Sequence, residues 1–244
     1  MNDGKKAIII GASSGIGREL AKIIAATGYT VGLTARRTEL LKELSAEIIS
    51  KTYIKSLDLS KPEEASSKVQ ELIEEMHGVD LIIISSGAGY INHELDWQKE
   101  KETIDVNVIG FVAMVNVAMK HFLKRGEGIL VGISSIAGLK GNAAAPAYSA
   151  SKSFVSNYLS GIRYQVKKRK ANIKIIDIKP GFVDTEMAKG EKIFWVASPG
   201  KAAAQIYHCI KNGKEHAYIT KRWIVVAWIF KLIPDWLFQK LQIK

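Results

Sequence analysis

The sequence predicts an α/β protein with a doubly wound, mostly parallel sheet of seven strands and helices on both faces. Short apolar runs alternate along the chain with longer amphipathic stretches, and such regular alternation favours parallel strands joined by right-handed crossovers. Most of the short runs are apolar throughout, which is typical of strands buried on both faces. The length of 244 residues suits a single domain of this kind.

The same patterns give the order of the elements. Strands are predicted at residues 7–10, 30–34, 52–57, 79–85, 128–133, 172–178 and 216–220. Helices are predicted at residues 16–27, 38–50, 62–77, 103–124, 147–169 and 199–212. We expect one domain over residues 1–220, followed by an apolar and basic tail over residues 221–244.

The composition excludes several other classes of protein. Hydrophobic residues make up 47% of the chain and charged residues 24%, as in an ordinary globular protein. A single cysteine, Cys209, excludes an intramolecular disulfide framework and a cysteine-rich metal site. The five histidines show no metal-ligand spacing, so we predict no metal site.

No signal peptide is recognised and no apolar run reaches the roughly 18 residues of a spanning helix, which favours a cytoplasmic location.

The chain is strongly basic, with 35 basic and 24 acidic residues and a net charge of +11. Such an excess can serve a nucleic-acid partner, but no recognised binding motif accompanies it, so we expect none. A phosphate-bearing cofactor or an anionic membrane surface fits the charge better.

A glycine-rich stretch, Gly11-Ala12-Ser13-Ser14-Gly15-Ile16-Gly17, follows the first predicted strand and opens the first predicted helix. Glycines let the backbone turn tightly and approach a pyrophosphate closely. The helix N-terminus adds N–H groups and a partial positive charge of about half a unit, and the two serines can add hydroxyl donors. In this position the turn predicts a Rossmann-type dinucleotide site; a turn without a ligand is the alternative.

The end of the second predicted strand bears on the choice of dinucleotide. It is followed by Ala35, Arg36 and Arg37, and the first acid after them is Glu39. About 20 residues after a nucleotide turn, a carboxylate binds the ribose of NAD, whereas an arginine accommodates the extra phosphate of NADP. We therefore expect NADP(H) to be preferred over NAD(H), with Arg36 as the main phosphate contact and Arg37 as a second. The alternative is that both arginines are solvated residues at the start of a helix.

Three side chains suggest proton-transfer chemistry. Tyr148 and Lys152 are four residues apart and would share one face of a helix. An ammonium group near a phenol favours the phenolate and lowers its pKa, which would suit Tyr148 as a general acid or base. Ser135 ends the fifth predicted strand, where α/β sheets place ligands, and its hydroxyl could hold a substrate carbonyl oxygen. Taken alone, the Tyr148–Lys152 pair would be an ordinary helix-surface pair.

Together these motifs resemble the short-chain dehydrogenase/reductase family, in its single-domain branch. The resemblance covers about residues 5–220 and extends to further stretches: Asp58, Ser86-Gly87-Ala88-Gly89, Asn107 and Pro180-Gly181-Phe182-Val183-Asp184-Thr185. The sequence departs from the family at Ile10, where Thr is usual, and at Ser86-Gly87, where the family has Asn-Asn. These departures put local hydrogen bonds in question, not the chemistry.

The resemblance implies a role for each catalytic candidate. Tyr148 would transfer a proton to or from the substrate oxygen, and Lys152 would lower the pKa of Tyr148 and bind the nicotinamide ribose. Ser135, a better match than Ser134, would orient the carbonyl. Asn107 would support a proton relay through water.

The resemblance also implies cofactor contacts outside the glycine turn. Asp58 and Leu59 would flank the adenine, and the loop of Ser86, Gly87 and Ala88 would pass behind the cofactor. The nicotinamide would be held by a segment that follows the sixth strand, through Pro180, Gly181, Val183 and Thr185.

The expected function is that of an NADP(H)-dependent oxidoreductase, which interconverts an apolar ketone or aldehyde and an alcohol and works as a homo-oligomer, a dimer or a tetramer. The alternatives are an NADP(H)-binding regulatory or scaffold protein without turnover, and a basic binder of nucleic acid or membrane.

Ile193, Phe194 and Trp195 suggest an apolar lid over the substrate, or ordinary packing at the sheet edge.

The tail is unusual, because eight apolar residues at 223–230 lie between basic residues and three of the five tryptophans lie in this part of the chain. Tryptophan favours membrane interfaces, so one interpretation is a peripheral membrane anchor. The other is a helix buried in a dimer interface or against the protein's own active site.

Overall fold

The strands of the computed structural model, which describes residues 4–186 and 194–242, form one parallel sheet. They are β1 (Lys6–Ile10), β2 (Thr30–Ala35), β3 (Thr52–Ser56), β4 (Leu81–Ile84), β5 (Glu127–Ile133), β6 (Asn172–Pro180) and β7 (His216–Ile219). Their order is β3-β2-β1-β4-β5-β6-β7, and every neighbouring pair is parallel. The predicted fold class is confirmed, and each predicted strand is present with ends that differ by one or two residues.

Helices connect the strands and follow the last one. They are α1 (Gly15–Ala26), α2 (Thr38–Glu47), α3 (Pro62–Glu75), α4 (Trp97–Ile104), α5 (Phe111–Arg125), α6 (Pro146–Lys168), α7 (Pro199–Lys211), α8 (Trp223–Leu232) and α9 (Asp235–Gln242). A π-helical segment, Asp105–Gly110, joins α4 to α5, and a 3-10 turn, Ile136–Leu139, follows β5.

The core has two layers, one on each face of the sheet. Successive side chains of a strand point to opposite faces, and β1 shows the alternation. Ala7 and Ile9 pack with α1, α2 and α7, whereas Ile8 and Ile10 pack with α3, α5 and α6. These four side chains are fully buried, so the continuous apolar run reflects burial on both sides.

The sheet reverses its direction of growth at β1, which pairs with β2 on one side and β4 on the other. Ligands of open α/β sheets bind at such a reversal, outside the carboxyl ends of the strands. Ile10 ends β1 directly before the glycine turn, so the fold places that turn at the crevice.

One predicted helix begins in the wrong place. The prediction started it at residue 103, but the structure starts α4 at Trp97. Asp96 caps this end because its carboxylate accepts from the main-chain N–H groups of Gln98 at 2.8 Å and Lys99 at 3.4 Å. The first turns of α4 consist of the exposed Trp97 followed by polar residues at 98–102, so they lack the apolar repeat on which the prediction relied.

The helical stretch Trp97–Arg125, with its π-helical segment, has 29 residues and is long and apolar enough by composition to cross a membrane. This differs from the expectation that no apolar stretch reaches that length. In the structure, α5 instead buries one face in the core with α3 and α6, through Phe111, Met114, Val115, Ala118 and Phe122.

The tail begins with a helix that packs onto the same domain. Trp223 and Ala227 of α8 are buried with Ile136 of the 3-10 turn, and Tyr218 of β7 packs against them. The start of the tail is therefore fixed to the edge strand β7 and to the turn that follows β5.

Candidate active site

The glycine turn is a close backbone packing that only glycine permits at two of its positions. Gly11 has a φ of +93°, in the region that L side chains rarely adopt, and a Cβ at Gly17 would lie 2.0 Å from the Gly11 carbonyl oxygen. Gly15, the first residue of α1, also has a positive φ of +56°, and Ile16 packs partly buried against the core. The turn therefore brings the main chain itself to the crevice, as a phosphate group requires.

The two serines of the turn contact an arginine from the next crossover. The Arg37 guanidinium donates to the hydroxyl oxygen of Ser14 at 2.9 Å and to that of Ser13 at 3.4 Å. Its other nitrogen donates to the carboxylate of Glu186 at 3.1 Å. Arg37 thus lies across the N-terminal end of α1, where the helix dipole and main-chain N–H groups favour an anion.

Arg36, unlike Arg37, does not contact the serines of the turn and lies near acidic residues. Its side chain is 63% exposed, and its guanidinium lies 3.6 Å from the carboxylate of Glu102. Burial acts to raise the pKa of Asp58, but hydrogen bonds from Ser60 and the positive charge of Arg36 outweigh it and lower that pKa. Arg36 and the ionised Asp58 therefore lie together beside the end of β3.

Leu59, next to Asp58, is buried under the π-helical segment. A Cβ at Gly110 would lie 2.4 Å from the Leu59 carbonyl oxygen, so the two backbones pack closely. This contact ties the Asp58–Leu59 pair to the segment that carries Asn107.

The loop after β4 is held to β1 by main-chain bonds. The N–H groups of Ser85 and Ser86 donate to the carbonyl oxygen of Ile10 at 2.8 and 3.0 Å, and Ser86 lies directly beside Gly11. The Ile10 side chain is fully buried. Main-chain bonds therefore join the two strand ends at the positions where this sequence lacks the family's Thr and Asn side chains, and Gly87 follows in a half-buried position.

Asn107 joins this loop to α6. Its side-chain oxygen accepts from the N–H of Ala88 at 2.8 Å, and its side-chain nitrogen donates to the Ala88 carbonyl oxygen at 2.7 Å and to the Ser151 hydroxyl at 2.9 Å. The Ser151 hydroxyl donates in turn to the carbonyl oxygen of Tyr148 at 2.8 Å. The buried carboxamide therefore fixes the loop and the helix turn that carries Tyr148, and π-helical segments such as that of Asn107 are frequent at functional sites.

Lys152 is buried one turn further along α6. Its ammonium group donates to the carbonyl oxygen of Ile133 at 2.9 Å. Burial disfavours the charged form and lowers the pKa of Lys152 to about 8, although the negative charge of Asp177 acts against this. The nitrogen lies 5.8 Å from the ring centre of Tyr148.

Tyr148 lies on the same helix face as Lys152, as its spacing predicted. Its ring packs against Gly89, where a Cβ would lie 2.6 Å from the ring carbon Cδ2. Burial raises the pKa of the Tyr148 phenol, and a hydrogen bond with Ser135 only partly offsets this. The expected lowering of this pKa by Lys152 is not found, since only burial and Ser135 shift it; the Lys152 ammonium donates to Ile133 instead.

Ser135 and Ser134 have different surroundings. The Ser135 hydroxyl accepts from the N–H of Ala137 at 3.1 Å and donates to the Pro180 carbonyl oxygen at 3.4 Å. The Ser134 hydroxyl donates instead to the buried carboxylate of Asp177, to which Ser156 also donates. Ser135 is thus the serine that lies beside Tyr148, whereas Ser134 belongs to a buried structural network.

The segment after β6 connects the reactive side chains to the glycine turn. Pro180 ends β6, and the N–H of Gly181 donates to the Ile219 carbonyl oxygen at 2.6 Å. Val183 pairs with Ala197 as an isolated parallel bridge. Thr185 then reaches the start of α1, since its methyl group would lie 3.0 Å from a Cβ at Gly15.

An aromatic cluster covers the other side of this segment, and the sequence did not predict it. Trp223 is 2% exposed, and its ring centre lies 5.6 Å from that of Phe182, 5.2 Å from that of Phe194 and 5.8 Å from that of Trp195. The predicted lid residues Phe194 and Trp195 therefore pack against the tail. Ile193 lies outside the described residues.

A groove of about 770 Å³ lies along the first turns of α6. Residues 138–143 of the loop after β5 form one wall, and the outer face of α6 forms another through Pro146, Ser149 and Ser153. Phe238 of α9 completes the lining. The tail thus borders a space next to the turn of helix that carries Tyr148.

Metal ligands are not gathered anywhere in the described ranges 4–186 and 194–242, where no group of three His, Cys, Asp or Glu side chains is placed to hold an ion.

Comparisons with known proteins agree with this geometry. A family model described as short chain dehydrogenase matches residues 5–193. An uncharacterized oxidoreductase of Myxococcus xanthus is 34% identical over 188 residues, which cover 75% of this chain and 74% of the relative. These matches define a pyridine-nucleotide-dependent oxidoreductase. The chain belongs to the short-chain dehydrogenase/reductase family.

Solved structures show the same fold with different nicotinamide cofactors. An alcohol dehydrogenase of Thermococcus sibiricus complexed with 5-hydroxy-NADP has a TM-score of 0.76 and 23% identity, over 88% of this chain and 95% of that one. A 3-ketoacyl-(acyl-carrier-protein) reductase of Brucella melitensis complexed with NADH has a TM-score of 0.81 and 19% identity, over 91% of this chain and 98% of that one. The fold alone therefore does not decide between the two dinucleotides.

Proposed function

We propose that the protein is an NADP(H)-dependent oxidoreductase that transfers a hydride between the nicotinamide and the carbon of an apolar carbonyl or alcohol substrate. The observation that carries the proposal is the meeting of Ser135, Tyr148 and Lys152 at the carboxyl end of β5, beside the segment that runs from Pro180 to the glycine turn. Three polar groups of different proton affinity gathered at a cofactor crevice are typical of an acid–base site.

The turn before α1 supports the binding of a pyrophosphate. Glycines at positions 11 and 17 allow the main chain to turn tightly there, and the N-terminus of α1 supplies N–H groups and positive potential. Asp58 and Leu59 would flank the adenine, and Ser86, Gly87 and Ala88 would lie behind the cofactor. Pro180, Gly181, Val183 and Thr185 would hold the nicotinamide end.

The two arginines support a preference for NADP(H). Arg36 is exposed beside Asp58, where an adenosine ribose would lie, and Arg37 is bonded across the serines of the turn. Guanidinium groups bind phosphate through paired, charge-assisted hydrogen bonds. In this proposal Arg36 is the main contact of the ribose phosphate. Arg37 would exchange its bond with Glu186 for a second contact.

The proposed mechanism separates hydride and proton transfer. When bound, the nicotinamide supplies the hydride in the reductive direction and accepts it in the oxidative direction. In the reductive direction Tyr148 gives its phenolic proton to the substrate oxygen, so the O–H bond of the phenol breaks as that of the alcohol forms. Ser135 donates a hydrogen bond to the same oxygen and fixes its position.

Lys152 would stabilise the phenolate that Tyr148 becomes. Its pKa of about 8 keeps it largely protonated at neutral pH, and an ammonium close to a phenolate lowers the pKa of the phenol. This role requires the ammonium to exchange its bond with the Ile133 carbonyl for one to the cofactor or the phenolate. Asn107 acts as a positioning residue for the loop and for α6, and the proposed proton relay through water would start beside it.

The proposal includes an apolar substrate and a homo-oligomer. Phe182, Phe194 and Trp195 present partly exposed rings beside the site, which favours an apolar partner. The homo-oligomer rests on membership of the family, whose proteins are often oligomeric. A cytoplasmic location stays a prediction.

The test is NADPH oxidation with a panel of water-soluble and apolar ketones and aldehydes. We expect turnover that falls by about 10²-fold or more in Ser135→Ala and Tyr148→Phe, while both variants still bind NADPH. A wild-type protein that binds NADPH and turns over none of the panel would contradict the proposal and favour a cofactor-binding regulatory protein.

A further inference from the structure

Helix α8 is apolar on two opposite sides, but only one of them is buried. Trp223 and Ala227 face the domain. On the other side Ile224, Trp228 and Leu232 follow one another at four-residue spacing and are 40%, 65% and 74% exposed. A helix that is apolar all round is normally buried all round. The outer side of α8 is apolar but exposed, which is unusual for such a helix.

The exposed surface continues into α9. Trp236 and Leu237 are 62% and 37% exposed and extend the same apolar character beyond Pro234. We call the exposed apolar side chains of the two helices the tail face: Ile224, Val225, Trp228, Ile229, Leu232, Trp236 and Leu237. The two helices contact each other through Phe230 and Phe238, whose ring centres lie 5.2 Å apart, and a large exposed apolar surface marks an interaction site on a folded protein.

The charges around the tail face indicate what covers it. Residues 221–244 contain five basic residues and one acidic residue, in a chain whose net charge is +11. Lys221 lies before α8 and Lys240 in the last turn of α9, and both are exposed. A second copy of this chain would bring the same positive charge to the interface, whereas an anionic lipid surface carries the opposite charge.

We propose that the tail face docks on an anionic membrane surface, with its aliphatic and tryptophan side chains between the lipid headgroups and its basic residues at the phosphates. An exposed apolar helix face that carries Trp and Leu and has Lys and Arg at its ends can lie in this way in the membrane interface. Tryptophan is enriched at that depth because its ring is apolar and its N–H is polar.

Contacts with the domain fix the orientation of α8, so that the tail face points outward. Trp223 anchors α8 against Gly181, and the Arg222 guanidinium donates to the carbonyl oxygen of Trp195 at 2.9 Å. The tail face is therefore presented by a packed element, and its side chains need no folding step before they meet the lipid.

Vesicle flotation of the full-length protein, without cofactor or substrate, tests the proposal. The probes are vesicles of phosphatidylcholine alone and vesicles with about one third phosphatidylglycerol, in about 0.05 M and about 0.5 M salt. We expect binding to the anionic vesicles at low salt, and at least fivefold less binding to the neutral vesicles and at high salt.

Matched substitutions locate the contact. Ile229→Ser on the tail face should weaken binding about fivefold, and Lys221→Glu should weaken it by a similar factor. The control is Ile49→Ser, the same change at a fully exposed position beside β3, the opposite edge strand of the sheet from β7. It should leave binding unchanged, and all three variants should keep the wild-type melting temperature.

The proposal is overturned if the wild type binds neither vesicle, if it binds both equally, or if Ile229→Ser weakens binding no more than Ile49→Ser. It is also overturned if Ile229→Ser converts an oligomer into a monomer and leaves vesicle binding unchanged, because the tail face would then join copies of the chain. None of these readouts depends on turnover, so they are separate from the test of the proposed reaction.

Discussion

The ring of Trp223 fills the space in which a side chain at Gly181 would lie. A Cβ at Gly181 would be 2.0 Å from the Trp223 ring carbon Cε2, well inside van der Waals contact. Gly181 belongs to the segment proposed to hold the nicotinamide, and Trp223 begins the tail. The tail is therefore part of the wall of the candidate active site.

Gly181→Ala should destabilise the protein and weaken cofactor binding, because the added methyl group must displace the indole ring. Overpacking of this kind costs about 1–3 kcal/mol. Urea unfolding measures the loss. Gly141→Ala is the control, since a Cβ there meets no atom of the described residues within 4 Å, and an equal loss in both variants would contradict the packing described.

Arg36→Ala should change the cofactor preference. If Arg36 binds the ribose phosphate, its removal lowers kcat/KM for NADPH by about tenfold or more and leaves kcat/KM for NADH nearly unchanged. Steady-state kinetics with both cofactors measures this. Lys42→Ala on the same crossover, where Lys42 pairs with Glu39, should change neither value, and a wild type that prefers NADH would contradict the assignment.

Asn107→Ala should destabilise the protein because it leaves both main-chain groups of Ala88 without their partners. Unsatisfied buried polar groups cost about 1–3 kcal/mol each, so for the two groups of Ala88 we expect a loss of about 2–6 kcal/mol in urea unfolding. Asn116→Ala is the matched control, because the exposed Asn116 amide bonds mainly to Val112 of its own helix. A smaller loss at Asn107 than at Asn116 would show that the carboxamide does not hold the loop.

Lys152→Met should lose activity and alter the pH dependence of stability. The pKa of Lys152 is lowered from 10.5 to about 8 in the folded protein. Between these two values the unfolded chain retains a proton that the folded protein has released, so wild-type stability rises with pH. Relative to Lys152→Met, the wild type should gain about 3 kcal/mol from pH 7 to above pH 10. A constant difference between the two proteins across that range would contradict a buried, charged Lys152.

The sequence predicted the features that depend on local pattern. Apolar runs located the seven strands, and the glycine turn at the end of β1 was placed correctly. The start of α4 was missed because residues 98–102 are polar, although Asp96 was a recognisable capping residue. The four-residue spacing put Tyr148 and Lys152 on one helix face, as the structure shows.

Features that depend on distant contacts could not be read from the sequence. The partner of Arg37 is Glu186, 149 residues away along the chain, and Trp223 meets Gly181 only because β7 lies beside β6. The raised pKa of Tyr148 depends on burial, which spacing does not reveal. The same holds for the hydrogen bond that the Lys152 ammonium donates to the Ile133 carbonyl oxygen.

The most direct test of the account is the rate of a single turnover with NADPH in Tyr148→Phe, compared with Tyr158→Phe on the same helix. The account predicts a loss of about 10²-fold or more for Tyr148→Phe with an unchanged Kd for NADPH, and a rate within about twofold of wild type for Tyr158→Phe, since Tyr158 stacks on Phe154 away from Lys152. Equal rates in the two variants would contradict proton transfer by Tyr148.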